Sequence, residues 1–236
     1  MTKKVCLIIG ANSEIASSVI ENLSSQYHLI LCWNNNCDRI KKYFQLSNVD
    51  NIHINLLHEE QCKILMEKLY HDYFHVDIII NCIGKNINSP NITEEIWDEV
   101  IGVNLKPAYF IGKYYWKLFF ELENKRDVEG CIINISSTAG IRPIPNSPHY
   151  ITAKAGLIAL SEYFSKIMAP YVRVNVIAPG FVATVKHTDS KYNDIIQKIP
   201  LKRMATFEEI AQTVEYLIKC SYINAQTIVV DGGMIS

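Results

Sequence analysis

The sequence predicts an α/β protein with a doubly wound architecture, in which a central parallel sheet of about seven strands carries helices on both faces. Two observations predict it. Short segments that are apolar on both alternating faces recur along the chain, as strands do in a parallel sheet that is covered on both sides. Segments with helical spacing lie between them, which favours right-handed β-α-β crossovers. No linker-like, low-complexity or repeated segment interrupts this pattern, so residues 1–236 are predicted to form a single domain.

The individual elements follow from the same periodicities. In the first predicted helix, Ile15, Val19 and Leu23 recur at helical spacing, and Leu65 and Leu69 do so in the second. The segments predicted as strands are residues 4–9, 28–33, 49–54, 77–83, 131–135, 172–177 and 226–230. The segments predicted as helices are residues 14–25, 60–73, 93–122, 149–168 and 206–219.

Composition argues against several classes of protein. Of the 236 residues, 49% are hydrophobic and 20% are charged, and the formal net charge is −1. These values favour a large core over disorder, and they argue against a dedicated nucleic-acid binder. No apolar segment approaches the roughly 20 residues that a membrane span needs. The apolar stretch at residues 5–10 is too short for a signal-peptide core, so we expect a cytoplasmic protein.

The cysteines predict neither a disulfide framework nor a metal site. Their number, seven, is odd, and no two of them have CxxC spacing. A metal site would need clustered ligands at short spacings. We therefore expect reduced thiols, mostly buried as small hydrophobic side chains, and no bound metal.

The first predicted strand ends in a segment that suits a pyrophosphate, Ile9-Gly10-Ala11-Asn12-Ser13-Glu14-Ile15-Ala16. A strand, a tight turn and a helix start present backbone N–H groups, and the helix dipole favours negative charge there. The dinucleotide fingerprint has three glycines at this place, but Glu14 and Ala16 occupy the second and third positions. Taken alone, the segment fits an ordinary strand–helix turn equally well.

A more specific pattern lies in the second half of the chain. Tyr150 and Lys154 are four residues apart on a predicted helix and therefore share one of its faces. A neighbouring ammonium favours the phenolate, so we expect Lys154 to lower the pKa of Tyr150 from about 10 and to make it an acid/base. Ser137 follows a predicted strand, and its hydroxyl is therefore expected at the crevice where open α/β sheets bind ligands.

These segments together resemble the short-chain dehydrogenase/reductase family, in its single-domain branch with a Rossmann-type fold, and the resemblance covers essentially the whole chain. Asn104 matches the catalytic asparagine of that family, and Ser137, Tyr150 and Lys154 complete its tetrad. Further matches are Asn81-Cys82-Ile83-Gly84, residues 173–180 with Thr184, and residues 200–203, 208–211 and 230–233.

The resemblance implies an oxidoreductase that interconverts a carbonyl and a secondary alcohol by hydride transfer with an NAD(P)(H) cofactor. It implies that Tyr150 exchanges the proton and that Ser137 holds the substrate oxygen. Lys154 would hydrogen-bond the nicotinamide ribose, and Asn104 would support a water that links this lysine to solvent. The residues that the resemblance assigns to cofactor binding are Gly10, Asn12, Ser13, Glu14, Ile15, Trp33, Asn34, Asn35, Asn55, Leu56, Asn81, Cys82, Ile83, Gly84, Tyr150, Lys154, Pro179, Gly180, Val182 and Thr184.

Three departures from the family pattern bear on how tightly the cofactor binds, although not on its location. Glu14 replaces a glycine, so the turn must close without a positive φ at that position. Asn55 stands where an aspartate usually meets the adenine edge, and its amide can serve similarly. Ala225 replaces the usual glycine before the last strand.

The end of the second predicted strand indicates which cofactor is preferred. NAD enzymes place an acid there, which holds the ribose 2′-OH and repels a 2′-phosphate. Residues 28–36 contain no acid, whereas Asn34 and Asn35 can donate to a phosphate and Arg39 is close by. NADP(H) is therefore favoured over NAD(H), although Ser13 stands where the family's strong NADP marker would be basic.

Substrate and assembly are the least specified features. The overall pattern is similar to that of 3-oxoacyl-[acyl-carrier-protein] reductases, which implies an acyl-carrier-bound carbonyl substrate. Residues 169–171 lack a basic residue that such reductases often have, so a sugar, polyol or specialised-metabolite carbonyl is the alternative. A catalytically weak cofactor-binding scaffold is a third interpretation. The resemblance implies substrate walls at residues 142–149 and 185–196. It also implies that the helix at residues 104–120 packs across a dimer axis, and its many aromatic residues fit a homodimer or homotetramer.

Overall fold

The computed structural model describes residues 3–121, 129–143, 145, 147–184 and 192–235, which form an alternating series of strands and helices and confirm the predicted α/β class. The strands are β1 (Val5–Ile9), β2 (His28–Trp33), β3 (Val49–His53), β4 (Ile78–Asn81), β5 (Gly130–Ile135), β6 (Val172–Pro179) and β7 (Thr227–Val230). The helices are α1 (Glu14–Leu23), α2 (Glu59–Tyr73), α3 (Glu94–Phe119), α4 (Pro148–Ile167), α5 (Asn193–Lys198) and α6 (Phe207–Lys219).

All seven strands pair in parallel, in the order β3-β2-β1-β4-β5-β6-β7. β2 and β3 therefore lie on one side of β1, and β4 to β7 lie on the other side. In open sheets of this kind, the point where the strand order reverses opens a crevice at the carboxyl ends of the strands. Gly10, Trp33 and Asn81 stand at the ends of β1, β2 and β4 and border this crevice.

Helices cover both faces of the sheet, and the strand side chains on both faces are apolar. Cys6 and Ile8 of β1 pack in the core that contains α1 and α6, whereas Leu7 and Ile9 pack in the core that contains α2, α3 and α4. Each of these four side chains is at most 1% exposed. Burial of an aliphatic side chain stabilises the fold by about 1.5–3 kcal/mol. The strand ends are therefore fixed relative to one another by cores on both sides.

Side-chain caps determine where three of the helices begin. Ser13 Oγ accepts the backbone N–H of Ala16 at 3.2 Å at the start of α1, and Thr93 caps α3 in the same way. At α6, Thr206 and Glu209 form a reciprocal capping box. Such caps satisfy backbone N–H groups that have no partner within the helix.

The structure differs from the predicted elements at the end of β4 and within one of the predicted substrate walls. β4 ends at Asn81, so Cys82 and Ile83 lie in the loop after it rather than in the strand. Within the predicted substrate wall 185–196, the chain forms the start of α5, whose six residues bury no side chain and therefore left no apolar periodicity to detect. The rest of that wall, residues 185–191, lies outside the described residues, as do Ile144 and Asn146 of the other wall.

The described residues contain neither a candidate membrane span nor a candidate metal cluster. None of their helices combines the length and apolar character that crossing a bilayer requires. No three His, Cys, Asp or Glu side chains among them are grouped so that they could hold a metal ion.

Candidate active site

Gly10 makes the turn that leads from β1 into α1. Its φ is +73°, in the left-handed region, and a Cβ at this position would lie 3.0 Å from the backbone nitrogen of Ile83. Glycine is therefore needed both for the backbone conformation and for the close approach. Glu14 is the first residue of α1 and has no positive φ. The loss of the fingerprint's second glycine thus causes no backbone strain.

A cavity of about 520 Å³ opens at the crevice between the strand ends. It is bordered by residues at or just after the ends of β1 to β4 and by one face of α3. Eight of the predicted cofactor residues line it: Gly10, Trp33, Asn34, Asn35, Asn55, Leu56, Ile83 and Gly84. The structure therefore brings together residues from the first 84 positions of the chain that the sequence analysis assigned to one ligand.

The α3 side of the cavity was missed by the sequence analysis. Glu99, Val103 and Pro107 line it together with Lys85, whose ammonium forms an ion pair with Glu99. The three α3 residues are four positions apart, and residues at this spacing share a helix face. Glu99 and Val103 lie five residues and one residue before Asn104, and Pro107 lies three residues after it. This helical spacing around a predicted site residue was the available signal.

Trp33 forms a wall of the cavity at the end of β2. Its indole stacks on the ring of His53, with 4.4 Å between the ring centroids. The indole Nε1 is buried and has no hydrogen-bond partner within the described ranges. An indole N–H can only donate, and a buried donor without an acceptor is unfavourable. A polar ligand group in the adjoining cavity would relieve that cost.

The loop after β2 is tied to the glycine loop. Asn12 Oδ1 accepts the backbone N–H of Arg39 at 3.0 Å, and Asn12 Nδ2 donates to Asn36 Oδ1. The guanidinium of Arg39 lies 3.4 Å from the carboxylate of Glu14. These contacts fix the loop that begins with the cavity residues Asn34 and Asn35 against the glycine loop.

Asn55 and Asn81 use part of their amide groups to shape the loops that border the cavity. Asn55 Oδ1 accepts the backbone N–H of Leu57 at 3.1 Å, which fixes the amide at the cavity wall. Asn81 is buried, donates to Asn134 Oδ1 at 3.0 Å and accepts the backbone N–H of Ile83 at 3.1 Å. Its side chain therefore holds the loop that contains Ile83 and Gly84, and neither Asn81 nor Cys82 lines the cavity.

Ser137 and Tyr150 are brought together at the carboxyl end of β5. Ser137 caps the short 3-10 turn Thr138–Gly140, with its Oγ accepting the backbone N–H of Ala139 at 3.2 Å. Tyr150 lies in the first turn of α4, near enough to Ser137 for this side chain to lower the pKa of the phenol. A hydroxyl and a phenol at such close quarters can bind one carbonyl oxygen together.

Lys154 lies one turn further along α4 and is buried. Its ammonium donates to the backbone carbonyl of Ile135 at 3.0 Å and lies 5.8 Å from the centroid of the Tyr150 ring. Burial lowers the pKa of Lys154 to about 8. A Cβ on Gly84 would lie 3.3 Å from Lys154 Nζ, so the ammonium reaches the loop that borders the cavity.

The pKa of Tyr150 differs from the sequence expectation. Burial raises this pKa above its ordinary value, and the hydrogen bond with Ser137 lowers it only in part. The expected lowering by Lys154 is not seen, because the ammonium points to the carbonyl of Ile135 and is itself desolvated. In this structure Tyr150 is therefore held as a neutral phenol, which is the form that can donate a proton.

Asn104 is buried in α3 and secures the loop after β4. Its Nδ2 donates to the carbonyls of Lys85 and Val100, each at 2.8 Å, and its Oδ1 accepts the backbone N–H of Lys85 at 3.4 Å. This side chain therefore positions the loop beside Lys154.

The remaining predicted cofactor residues lie outside the cavity wall. Asn12, Ser13, Glu14 and Ile15 form the start of α1, where the hydroxyl of Ser13 serves as the cap. Pro179 ends β6, and a Cβ on Gly180 would lie only 2.7 Å from Cβ of Asp231. The loop after Gly180 carries Val182, which pairs with Ala205, and Thr184.

The residues present fit a dinucleotide. A glycine turn at a helix start, a buried indole N–H without a partner and a cavity between the strand ends occur together at the place where such sheets bind nucleotides. Ser137, Tyr150 and Lys154 stand at the next strand of the sheet, β5, and at the helix that follows it.

Comparisons with known proteins agree with this geometry. The family model described as Enoyl-(Acyl carrier protein) reductase matches residues 10–235. The 3-oxoacyl-[acyl-carrier-protein] reductase FabG of Thermotoga maritima is 30% identical, covering 98% of this chain and 98% of that protein. The protein of the same name from Rickettsia prowazekii is 32% identical, covering 100% of this chain and 98% of its own length.

A solved structure extends the likeness to the whole fold. The short chain dehydrogenase from Leptospira borgpetersenii, a crystal structure with bound NAD+, superposes with a TM-score of 0.90 and 27% identity over 100% of this chain and 94% of that one. The matching family model, the full-length relatives and the fold together show that this chain belongs to the short-chain dehydrogenase/reductase family of NAD(P)-dependent oxidoreductases.

Proposed function

We propose that the chain reduces the carbonyl of a 3-oxoacyl group carried by an acyl carrier protein. The observation that carries the chemistry is the cluster of Ser137, Tyr150 and Lys154 beside the cavity. The substrate class is supported by the curated relatives from Thermotoga maritima and Rickettsia prowazekii, both of which carry the name 3-oxoacyl-[acyl-carrier-protein] reductase.

Ser137, Tyr150 and Lys154 have different roles in the reduction of the carbonyl group. Ser137 and Tyr150 both bind the carbonyl oxygen, and Tyr150 donates the proton that converts it to a hydroxyl. The nicotinamide cofactor, when bound, supplies the hydride to the carbonyl carbon. Lys154 holds a positive charge below pH values of about 8, and this charge stabilises the negative charge that the Tyr150 oxygen gains when it donates its proton.

NADP(H) is the proposed cofactor in preference to NAD(H). The segment after β2 places the amides of Asn34 and Asn35 at the cavity and the guanidinium of Arg39 beside the glycine loop. A charge-assisted contact to a 2′-phosphate is worth roughly 1.5–3 kcal/mol. The Leptospira relative holds NAD+, so the preference has to be tested on this chain.

A panel of carbonyl substrates tests this function. The purified chain would be mixed with NADPH and an acetoacetyl thioester on an acyl carrier protein, the same thioester on coenzyme A, or a set of sugar and polyol carbonyls. We expect the loss of NADPH absorbance to be fastest with the carrier-bound thioester. The matched control is Tyr150→Phe, which removes one hydroxyl and should lower turnover by about 10²- to 10⁴-fold. Its affinity for NADPH should stay near that of the wild type.

A sugar, polyol or specialised-metabolite carbonyl is the second candidate substrate. The observation that favours it is the loop between α4 and β6, where the exposed residues Ala169 and Pro170 offer no cation to an acidic carrier protein. Turnover of sugars or polyols without turnover of either thioester would reject the first proposal in favour of this one. NADPH binding without turnover of any carbonyl or alcohol would instead favour the weak-scaffold interpretation.

We further propose that the chain assembles as a homodimer or homotetramer through α3 and α4. The two helices pack on each other, and a Cβ on Gly112 of α3 would lie 2.6 Å from the Phe164 ring of α4. Tyr115 and Phe119 are buried in the core of the subunit, but Tyr109 and Tyr163 are 42% and 53% exposed. Sedimentation at micromolar concentration should give a dimer or tetramer, and a monomer would reject the assembly. Fractionation of the source cells would test the expected cytoplasmic location.

A further inference from the structure

Glu14 and Arg39 form an ion pair beside the glycine loop. Glu14 is the first residue of α1, and the Arg39 guanidinium lies 3.4 Å from its carboxylate. Their side chains are 35% and 50% exposed, so solvent screens the pair but does not abolish it. Glu14 stands in the position where the dinucleotide fingerprint has its second glycine.

The pair is held in place by the backbone around it. Asn12 of the glycine loop accepts the backbone N–H of Arg39 at 3.0 Å and donates to the side chain of Asn36. Arg39 is therefore anchored at its main chain, while its guanidinium has the length and freedom to swing between neighbouring anions. The same loop begins with Asn34 and Asn35, which line the cavity.

The other charges of this segment are already engaged. Lys41 pairs with Asp38 at 2.9 Å, and Lys42 pairs with Glu21 at 2.7 Å. Within the described ranges, Lys85 is the cation that lines the cavity, and it is paired with Glu99 of α3. Arg39 is thus the cation that follows Asn34 and Asn35 in the chain and pairs with Glu14, at the start of α1.

The carboxylate of Glu14 occupies a position that suits an anionic ligand. A helix N-terminus carries partial positive charge and favours an anion, and a first-turn glutamate already uses that field. A dinucleotide would bring its own phosphates to this turn. Glu14 then repels the phosphates of either cofactor, and it also holds the guanidinium that a 2′-phosphate would attract.

We propose that Glu14 is a specificity-determining residue that competes with the 2′-phosphate of the cofactor for Arg39. This inference rests on the proposed use of a nicotinamide dinucleotide. It predicts that removing the Glu14 charge improves cofactor binding, and that the improvement is larger for NADPH than for NADH.

Fluorescence titration of the full chain with NADPH and NADH tests the proposal without any substrate. Glu14→Gln should tighten NADPH by about two- to fivefold, the range that corresponds to a surface ion pair. It should tighten NADH by less than twofold. Arg39→Gln should weaken NADPH by about tenfold and leave NADH within threefold of the wild type.

The double variant Glu14→Gln/Arg39→Gln distinguishes competition for Arg39 from a general repulsion between Glu14 and the cofactor phosphates. In the Arg39→Gln background, Glu14→Gln should tighten NADPH and NADH by equal factors, because only repulsion remains to be relieved. Glu21→Gln is the matched control: it also removes a paired glutamate of α1, but Glu21 lies seven residues further along the helix and pairs with Lys42 instead of Arg39. It should leave both dissociation constants unchanged.

Three results would overturn the proposal. The first is that Glu14→Gln binds NADPH more weakly than the wild type. The second is that Glu14→Gln raises the affinity for both cofactors equally when Arg39 is present. The third is that Glu14→Gln raises the affinity for NADPH selectively even in the Arg39→Gln background. Binding of neither cofactor by the wild type and all variants would reject the proposed function as well. Normal binding by the wild type with an unresponsive Glu14→Gln would reject this inference alone.

Discussion

Gly140 lies directly against the backbone of Lys154: a Cβ at Gly140 would be 2.7 Å from the Lys154 carbonyl carbon and 2.8 Å from the nitrogen of Ala155. Such distances to backbone atoms cannot be relieved by a side-chain rotation. The close approach is reinforced by Ser136 Oγ, which donates to the carbonyl of Lys154 at 2.9 Å. The 3-10 turn capped by Ser137 is therefore seated on α4, and this contact sets the distance between Ser137 and Tyr150.

Replacing Gly140 with alanine should separate the turn from the helix. We expect Gly140→Ala to lower the free energy of unfolding by about 1–3 kcal/mol, the usual cost of overpacking. Because the displaced Ser137 no longer meets Tyr150, turnover should fall by more than tenfold while NADPH affinity changes little. Urea denaturation and steady-state kinetics would measure the two effects.

Gly102→Ala is the matched control for this substitution. Its Cβ would meet nothing closer than 3.9 Å, at the flexible side chain of Lys106. Alanine is also favoured over glycine in a helix interior by up to about 1 kcal/mol. This variant should keep both stability and turnover. Equal losses in the two glycine variants would show that the contact with α4 is not the cause.

The buried ammonium of Lys154 should cost stability at neutral pH. Its pKa is lowered by burial from 10.5 to about 8, so the folded state holds this proton less tightly than the unfolded state does. The cost is fully present below pH 8 and disappears as the pH rises towards the unfolded value. Lys154→Met should therefore raise the free energy of unfolding at pH 7 by about 1–3 kcal/mol, after allowance for the lost hydrogen bond to Ile135.

The same variant should lose turnover, because the tyrosine is then left without its cationic neighbour. Urea denaturation of wild type and Lys154→Met at pH 7 and pH 10 would test the stability argument. The advantage of the variant should shrink between the two pH values. An advantage that is constant with pH would mean that packing, and not the charge, is responsible.

Ala225 holds a conformation that suits glycine. Its φ is 61°, and its backbone N–H donates to the carbonyl of Val174 at 3.0 Å, so the turn before β7 keeps the strained geometry. The left-handed region costs a non-glycine residue roughly 1–2 kcal/mol, partly offset by the greater unfolded-state freedom of glycine. Ala225→Gly should therefore raise the free energy of unfolding by about 0.5–1 kcal/mol.

Thermal or urea denaturation would measure the gain. Ala159→Gly is the control for the alanine-to-glycine change itself, because Ala159 is exposed in the middle of α4. It should lose about 1 kcal/mol. Destabilisation by both substitutions would argue that the positive φ of Ala225 carries no strain.

The fold was predictable because its signals are local and repeated. The predicted apolar strands are present in the structure, and Tyr150 and Lys154 lie one turn apart on α4. Ser137 follows the end of β5, as its position after a predicted strand indicated. The pKa of Tyr150 was not predictable, since it depends on burial and on the direction of the Lys154 ammonium. The close packing of Gly140 against the backbone of Lys154 in α4 was not predictable either. It is a tertiary contact, and no local sequence pattern indicates it.

We expect a substitution at Asn34 to change the proposed cofactor preference more directly than one elsewhere in the loop after β2. It follows Trp33, lines the cavity and is exposed, so a charge introduced there would face the ligand. A carboxylate at this position would repel a 2′-phosphate and accept a hydrogen bond from a ribose 2′-OH. It would also offer Arg39 a second anion, which withdraws the guanidinium from the phosphate.

Asn34→Asp should therefore reverse the preference, with NADPH weakened by about ten- to hundredfold and NADH unchanged or tightened. Fluorescence titration with both reduced cofactors measures this directly. Asn51→Asp adds the same charge on the adjacent strand β3, where residue 51 is exposed but does not line the cavity, and it should leave both dissociation constants unchanged. If the wild type already bound NADH more tightly than NADPH, Asn34, Asn35 and Asn36 would be hydrogen-bonded to the ribose diol. The absence of an acid from residues 28–36 would then not favour NADPH.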